Sequence, residues 1–355
     1  MESSIMQNIF LKLENLFSNR VIQFAGFLGL FLGYVADAIS DKNIYWAFAM
    51  LVVSLVFMAI YDEMSTYDIY HSETIHIPVI IRVDDNTDTT YVLETLLVKL
   101  EEKGHIKEHY KESLLKYRGI NLDEFIFEYN GDLFDYKRLL SFAQIINYKI
   151  NQTERALKTK VLFHVAYYRR PSVAYMLGVI FRTEGLVLYQ NDDGGSTFEE
   201  VASVTTRAYK EHVESLEKYD LLEEFEEPHK QDELLFIINS ASHDVDPRVA
   251  SLKGYKNRVT MKLKPQKIKR NNEEKIVSGT IPVEDDWTQY SQEIYTQIHN
   301  YRLQYKKIVI AHAMPEALAL LLGMAMENYW NIEITQYFNN DNIPVYNMQD
   351  VQFYF

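Results

Sequence analysis

The sequence predicts an α/β fold built from two similar halves and preceded by an α-helical transmembrane hairpin. The first observation is Lys307–Phe338, where an apolar β-branched run, a short turn, a longer apolar run and a second β-branched run follow one another. This order predicts a strand–helix–strand unit of a parallel sheet. The second observation is a similar stretch at Lys160–Tyr189, and the third is a pair of long apolar segments near the N-terminus.

Composition limits the classes of protein to consider. The 355 residues suggest two or three domains with enough apolar residues for a large core. The net charge of −14 argues against a partner of duplex DNA or RNA, and an anionic ligand would need a local basic site. The chain has no cysteine, which excludes a disulfide framework, thiol catalysis and a cysteine zinc site, and which fits a reducing compartment.

The N-terminal segment, residues 1–20, places Ile9, Leu13 and Leu16 at helical spacing and predicts an amphipathic helix. Two interpretations remain open: the helix lies on a membrane surface, or it packs on the soluble part of the protein. The segment lacks the positive cluster and the cleavage site of a secretory signal peptide.

Two apolar segments, Val21–Ile39 and Ile44–Tyr61, each approach the ~20 residues that cross a bilayer. A short polar turn joins them, which predicts a two-helix transmembrane hairpin over residues 21–61, with a buried soluble hairpin as the alternative. Basic residues flank the open end of the hairpin. They favour insertion with the soluble part in the cytoplasm.

The first predicted membrane helix contains a helix-packing motif. Gly29 and Gly33 form G-x-x-x-G, a spacing that lets two membrane helices approach closely, and Asp37 continues the same stripe. A carboxylate near a helix end either faces headgroups and water or joins a polar stripe that binds another subunit or lines an opening. The sequence leaves both interpretations open.

The remaining chain divides into a connector and two halves. The connector covers residues 62–75, the first half 76–204, an acidic helical link 205–233 and the second half 234–355. Within the second half, the basic stretch at residues 253–270 predicts a β-ribbon. Its lysines either protect an exposed sheet edge or form a surface that faces phosphate or another subunit.

The two strand–helix–strand units share more than their order. Each has a proline before or at the start of its helix, a Leu-Gly pair inside the helix and a tyrosine near the end of the second strand, as in PSVAYMLG and PEALALLLG. The proline-to-glycine spacings differ by one residue, so the repeat is imperfect. A duplicated α/β half is the prediction, and chance similarity of two apolar units is the alternative.

The second unit, AHAMPEALALLLG followed by IEITQY, resembles the C-terminal signature of the SAVED family. The resemblance covers roughly residues 76–355. It implies two fused CRISPR-associated-Rossmann-like halves that sense a cyclic oligonucleotide in bacterial anti-phage signalling. Together with the hairpin, it implies an effector similar to the transmembrane SAVED effectors of CBASS-type systems. Such an effector binds a cyclic oligonucleotide from a partner nucleotidyltransferase, forms a homo-oligomer and disrupts the lipid bilayer in abortive infection.

Open parallel sheets bind ligands at the carboxyl ends of their strands, so the candidate ligand-binding residues are those that follow predicted strands. They are Asp84, Asp85, Tyr167, Tyr168, Arg169, Arg170, Ser240, Ser242, His243, Met314, Pro315, Glu316 and Tyr337. Tyrosines stack on bases and arginines offer forked donors to phosphate. The alternatives are solvated arginines, serines that only cap a helix and a glutamate that only complements a helix dipole.

The SAVED resemblance places the ligand in a groove across both halves, which supports the turns at Tyr168–Pro171 and Met314–Glu316. The first turn contains two inserted arginines, which argues against two-fold-symmetric ligand contacts.

Catalytic motifs of metalloproteases, serine hydrolases and P-loop enzymes are absent from the sequence. Ser240, His243 and Asp244 lie too close together in sequence for a persuasive triad. We therefore expect a sensor rather than an enzyme, with no metal and no cofactor. Two alternatives remain: an enzyme that degrades the cyclic nucleotide, and a membrane-tethered protein-interaction module without a nucleotide ligand.

Overall fold

The computed structural model describes residues 74–351, apart from 85–86, 158, 182–184, 192–196, 205–207, 226–231 and 271–272. The chain divides into two compact units, Met1–Ser72 and Glu73–Phe355, and the described residues belong to the second. The predicted amphipathic helix, the hairpin with Gly29, Gly33 and Asp37, and most of the connector lie outside the described residues. Within those described ranges, no helix is both long enough and apolar enough to cross a membrane.

The first half is a five-stranded sheet with helices. Its elements are β1 (Thr74–Val83), α1 (Thr89–Glu102), α2 (Tyr110–Arg118), β2 (Ile126–Tyr129), α3 (Tyr136–Leu157), β3 (Lys160–Tyr168), α4 (Pro171–Phe181), β4 (Leu186–Asn191) and β5 (Phe198–Val204). The strand order is β2-β1-β3-β4-β5, and β5 alone in this sheet runs antiparallel to its neighbour. The central strands β1 and β3 are apolar along most of their length because helices and loops cover both faces of a parallel sheet.

The second half is a six-stranded sheet. Its elements are β6 (Tyr219–Phe225), β7 (Glu233–Asn239), β8 (Asn257–Leu263), β9 (Gln266–Arg270), β10 (Glu273–Val277), α5 (Trp287–Arg302), β11 (Lys307–Ala313), α6 (Glu316–Ala325), β12 (Ile332–Phe338) and β13 (Asp341–Asn347). The order is β13-β12-β11-β7-β8-β6, with antiparallel strands at both edges. Strands β9 and β10 form a separate hairpin.

The strand order and strand directions repeat between the halves, as a duplicated α/β half would require. The order β8-β7-β11-β12-β13 in the second sheet matches β2-β1-β3-β4-β5 in the first, with the same strand directions. Even the irregularities correspond, because the last strand pair shifts register after Leu188 in the first sheet and after Ile334 in the second. Gln190 and Gln336 are therefore equivalent positions, each the second residue beyond its bulge.

The two repeated helices, α4 and α6, pack directly on each other through their glycines. A Cβ atom added at Gly178 would lie 2.1 Å from the carbonyl oxygen of Leu320, and one added at Gly323 would lie 2.3 Å from that of Tyr175. Only glycine permits this approach of two backbones. The sequence of each repeat therefore encodes its contact with the other half.

The helix starts explain why the two repeats differ by one residue in spacing. Pro171 is the first residue of α4, whereas Pro315 is the N-cap that precedes α6. Gly178 and Gly323 consequently occupy the same position counted from the first residue of their helices. The imperfection of the repeat lies in the turn and not in the helix packing.

The predicted acidic helical link at residues 205–233 is wrong over the residues that form β6. This strand is the antiparallel partner of β8, with Asp220 opposite Lys262 and Glu224 opposite Arg258. Its acidic side chains complement the basic side chains of β8 across the strand pair. The charge pattern therefore reflects a sheet edge rather than a solvated helix. The predicted basic ribbon is likewise divided, since its first part is β8 of the main sheet and its second part is the β9–β10 hairpin.

A buried carboxylate fixes the chain where it enters β6. Glu293 on α5 is fully buried and accepts hydrogen bonds from the backbone N–H groups of Glu217 at 2.9 Å, Lys218 at 2.9 Å and Tyr219 at 3.1 Å. Burial raises the pKa of Glu293, and the three N–H donors oppose that rise. The carboxylate thus serves as the acceptor for three successive backbone N–H groups at the start of β6.

A chain of hydrogen-bonded and stacked aromatic side chains, of which His164 and Tyr189 are buried, crosses the first sheet. The Tyr189 hydroxyl lies 3.2 Å from Nδ1 of His164, whose Nε2 lies 2.8 Å from Nδ1 of His76. His105 stacks on His76 with ring centroids 5.2 Å apart. Burial lowers the pKa of His76 to about 4 and that of His164 to about 2. His76 and His164 are therefore neutral imidazoles at neutral pH.

Candidate ligand site at the junction of the two sheets

The turns after β3 and β11 lie against each other. The carboxylate of Glu316, the first residue of α6, accepts a hydrogen bond from the backbone N–H of Arg169 in the opposite half. Gln190 at the end of β4 adds long contacts of 3.5 Å to the Glu316 carboxylate and 3.4 Å to the N–H of Ala317. We call the region where residues 168–171 meet residues 314–316 the junction.

A second contact mirrors the first across the junction. The Ser172 hydroxyl near the start of α4 donates to the side-chain oxygen of Gln336 at 2.7 Å. Tyr346 on β13 donates its hydroxyl to the Ser172 carbonyl at 2.7 Å. Because Gln190 and Gln336 are equivalent positions, each half reaches the helix start of the other with the same residue type. The carboxyl ends of both parallel sheets thereby form one continuous edge.

The first turn has unusual backbone geometry. Arg169 and Arg170 have φ of +64° and +58°, and Asp84 at the end of the neighbouring β1 has φ of +50°. Left-handed backbone is uncommon for residues other than glycine, and its accumulation marks a functional constraint more often than a random feature. The Tyr167 hydroxyl holds the turn by donating to the Arg170 carbonyl at 3.0 Å.

Charge is divided unequally across the junction. Arg169 is exposed and Arg170 is half-buried, and both lie on the side of the first half. Glu316 lies on the side of the second half, where burial raises its pKa and hydrogen bonds from Gln190 and Arg169 oppose that rise. Burial and the nearby charge of Glu316 raise the pKa of Tyr167 well above its usual range. The cationic side chains of the two turns, Arg169 and Arg170, thus both belong to the first half.

Most of the predicted site residues do lie at this edge. Tyr167 and Met314 are buried, and the Met314 sulfur accepts a hydrogen bond from Tyr175 at 3.2 Å. Pro315 is half-buried. Tyr168 packs edge-on against Phe198. The side chains of these residues are buried or half-buried and do not form the exposed surface of the junction.

The loop after β7 contains one buried and two exposed residues of the predicted site. Ser240 is fully buried, shares a 2.8 Å hydrogen bond with the Tyr219 hydroxyl and donates its N–H to the Ala313 carbonyl. Ser242 and His243 are exposed in the same loop, beside the end of β11. Ser240 therefore has a structural role that the sequence did not indicate, while Ser242 and His243 remain accessible to a ligand.

One predicted residue, Tyr337, stands apart from the junction contacts. Tyr337 is 49% exposed at the β12–β13 turn and donates to Asn340 at 3.1 Å. Asp85 lies outside the described residues. The Ser240, His243 and Asp244 side chains do not form a triad, because Ser240 pairs with Tyr219 and Asp244 pairs with Lys262 at 2.8 Å.

Sequence reasoning missed Gln190, Gln336, Ser172 and Tyr346. A signal for the glutamines was present, since both second strands of the repeat contain a glutamine near their end. In the described part of the chain, no group of histidine, aspartate and glutamate side chains is arranged to hold a metal ion. The junction offers arginine donors and amide groups, which suit the recognition of a polar, anionic ligand, beside the carboxylates of Glu316 and Asp84.

Residues 140–348 match the family model for SAVED, described as the SMODS-associated and fused to various effectors sensor domain. Because the match covers more than half of the chain, the protein belongs to the SAVED family. No curated protein sequence matches the chain.

Solved structures of Cap4 SAVED/CARF-domain containing receptors are similar to this chain. The Acinetobacter baumannii receptor with the cyclic trinucleotide 3′3′3′-cAAA is 12% identical with a TM-score of 0.44, over 84% of this chain and 56% of the receptor. The Moraxella osloensis receptor is 13% identical with a TM-score of 0.39, over 83% and 53%. The chain thus spans little more than half the length of these receptors, and its family membership rests on the family model.

Proposed function

We propose that this protein senses a cyclic oligonucleotide at the junction and acts as a membrane-anchored effector of CBASS-type antiviral defence. The observation that carries the binding proposal is the contact between Arg169 and Glu316. It joins the two turns that the SAVED resemblance implicates into one edge. The ligand is made by a partner nucleotidyltransferase, and the protein binds it without degrading it.

The junction residues have distinct tasks in this proposal. Arg169 and Arg170 contact ligand phosphates, because a guanidinium donates two parallel hydrogen bonds to such an anion. Tyr168 supports the turn, and the exposed Ser242 and His243 contact the ligand from the second half. Since the cationic side chains belong to one half, a cyclic ligand meets different groups on its two sides.

The binding proposal is tested by calorimetry of the full chain in detergent. We expect heat on adding 3′3′3′-cAAA or another cyclic di-, tri- or tetranucleotide. Arg169→Ala with Arg170→Ala should weaken the affinity roughly tenfold to hundredfold and reduce its dependence on salt, because charge-assisted hydrogen bonds to phosphate are lost. Arg155→Ala, near the C-terminal end of α3 at the opposite edge of the sheet, is the matched control and should bind normally.

The outcomes of that experiment separate the competing functions. Turnover of the nucleotide during the titration would identify an enzyme instead of a sensor. An absence of heat with every nucleotide of the panel would favour an interaction module without a nucleotide ligand. Unchanged affinity in the double arginine variant would assign both arginines to solvent.

The effector part of the proposal concerns the predicted hairpin of residues 21–61 in the bacterial inner membrane, with the sensor in the cytoplasm. Two helices from one chain cannot enclose a water-filled channel, so several copies must assemble to disrupt the bilayer. Ligand binding at the asymmetric junction completes a contact surface for head-to-tail assembly, which builds rings or filaments. Gly29 and Gly33 supply the seam for close helix packing.

We expect Gly29→Leu with Gly33→Leu to abolish ligand-dependent dye leakage from liposomes, because leucine side chains separate the packed helices. The ligand affinity should stay unchanged, and light scattering of the native full chain should show a gain in mass on ligand addition. Phe27→Leu with Phe31→Leu, off the glycine stripe of the same predicted helix, is the control and should preserve leakage. Toxicity of a chain without the hairpin would show that the membrane is not the target.

A further inference from the structure

The ion pair between Asp84 and Arg170 occupies the cationic side of the junction. Nε of Arg170 donates to Oδ2 of Asp84 at 3.0 Å, and a second guanidinium nitrogen contacts the same oxygen. The two residues end adjacent parallel strands, since β1 and β3 are paired up to Arg82 and Tyr168. Among the described ion pairs, this pair alone joins two residues that both have left-handed backbone.

We propose that Asp84 is a built-in competitor for the ligand: it neutralises Arg170 in the unliganded protein and is displaced by a phosphate of the cyclic oligonucleotide. This inference rests on the proposed function and deepens it. Asp84 and Arg170 side chains are 45% and 27% exposed, so an anion reaches the guanidinium without unfolding the turn. A carboxylate and a phosphate oxygen compete for the same forked donors.

The turn of residues 313–316 has no basic residue for an equivalent pair, and the Asp244–Lys262 pair of the second half joins the loop after β7 to β8 instead. At the equivalent turn, Met314 precedes the proline, and it is buried with its sulfur bonded to Tyr175. At the end of β7, the strand equivalent to β1, Ser240 is buried against Tyr219. Competition therefore operates on one side of the junction only, where the inserted arginines lie.

Competition sets a threshold for the ligand. A free phosphate ion must displace Asp84 without help from other contacts, so it binds poorly. A cyclic oligonucleotide contacts both halves, and its remaining interactions offset the loss of the Asp84–Arg170 pair. Asp84 thus favours a nucleotide that contacts the protein at several points over the free phosphate ions of the cell, which contact it at one. Specificity is obtained here by weakening the binding of the wrong ligand.

Calorimetry of the full chain with 3′3′3′-cAAA, or with whichever cyclic nucleotide of the panel binds, tests the inference. Asp84→Asn keeps the size and tolerates left-handed backbone but removes the charge. We expect roughly fivefold tighter binding, in line with the usual strength of a half-exposed ion pair, and a measurable affinity for inorganic phosphate. In an Arg170→Ala background the same substitution should give a clearly smaller gain.

One control and one replacement variant keep the result interpretable. Asp123→Asn removes a carboxylate paired with Lys111 at 2.8 Å, away from the junction, and should leave the affinity unchanged. If Asp84→Asn does not fold, Asp84→Gly, which also suits left-handed backbone, replaces it.

Three outcomes would overturn the inference in a wild-type protein that binds the nucleotide. These are unchanged affinity of Asp84→Asn, weaker affinity of that variant, or an equal gain with and without Arg170. An equal gain would mean simple repulsion by Asp84 rather than competition for Arg170. If the wild-type protein binds no nucleotide of the panel, the proposed function itself fails.

Discussion

Gly323→Val is expected to lower the free energy of unfolding by about 3 kcal/mol or more, because overpacking against a rigid neighbour cannot relax. The first atom that a Cβ meets is the Tyr175 carbonyl oxygen at 2.3 Å, and the next two are also backbone atoms of Tyr175. A flexible side chain would move aside, but a helix backbone moves only by separating α4 from α6. Gly178→Val should have a similar effect, since its Cβ would meet the Leu320 carbonyl oxygen.

Urea denaturation followed by circular dichroism measures this loss as a lower midpoint. Gly254→Val is the matched control, because no atom lies within 4 Å of a Cβ at Gly254 and its backbone is not left-handed. A Gly323→Val midpoint equal to that of the control would mean that the two helices do not touch at their glycines.

Acid is expected to destabilise the protein through the buried imidazoles of His164 and His76. The unfolded histidines have pKa values near 6.5, whereas the folded pKa values are about 2 for His164 and about 4 for His76. Below about pH 6.5 the unfolded state therefore binds protons that the folded state excludes. The free energy of unfolding consequently decreases as the pH decreases. Burial is the main cause, and the charges of Lys103 and Lys160 add to it.

The expected loss is about 3–4 kcal/mol between about pH 7 and 4.5, at about 1.4 kcal/mol per pH unit for each fully excluded proton. His76 contributes less than His164 because it is partly exposed. The hydrogen-bond chain adds to the effect of burial, since only one proton can occupy the 2.8 Å contact between Nδ1 of His76 and Nε2 of His164. We therefore expect full stability above about pH 6.5 and a steady decline below it.

His164→Gln isolates this effect, because glutamine retains one donor and one acceptor for His76 and Tyr189 but does not titrate. Its acid-induced loss, measured by urea denaturation at several pH values, should be about 2–3 kcal/mol smaller than that of the wild-type protein. His109→Asn changes an exposed histidine, suits the left-handed backbone there and should leave the pH dependence unchanged. Parallel pH profiles for all three proteins would rule out the buried imidazoles as the cause.

The strands and helices of the repeated units were predictable from sequence because buried parallel strands read as continuous apolar runs. Helices α4 and α6 are apolar on all sides. This pattern indicated that they are buried but not which element covers them. The turns at Arg169 and at Pro315 could be proposed as a site because parallel sheets place ligands at strand ends.

Other features depend on contacts that no local pattern encodes. Strand β6 was mistaken for a helix because its acidic residues are explained only by the basic strand β8, which lies far along the chain. Glu293 belongs to no sequence motif, although its carboxylate binds three backbone N–H groups of a distant segment. Ser240 looked like a ligand contact, and only its pairing with Tyr219 shows why it is buried.

The shared helix seam makes the two halves a single cooperative folding unit. Helices α4 and α6 are buried along nearly their whole length, and each is covered in part by the other. A half expressed alone would expose a fully apolar helix to water, at a cost that its own sheet does not offset. Residues 73–355 accordingly form one compact unit despite containing two complete sheets. The two halves therefore resemble a dimer whose contact is built into one chain, with the paired glycines of α4 and α6 at its centre.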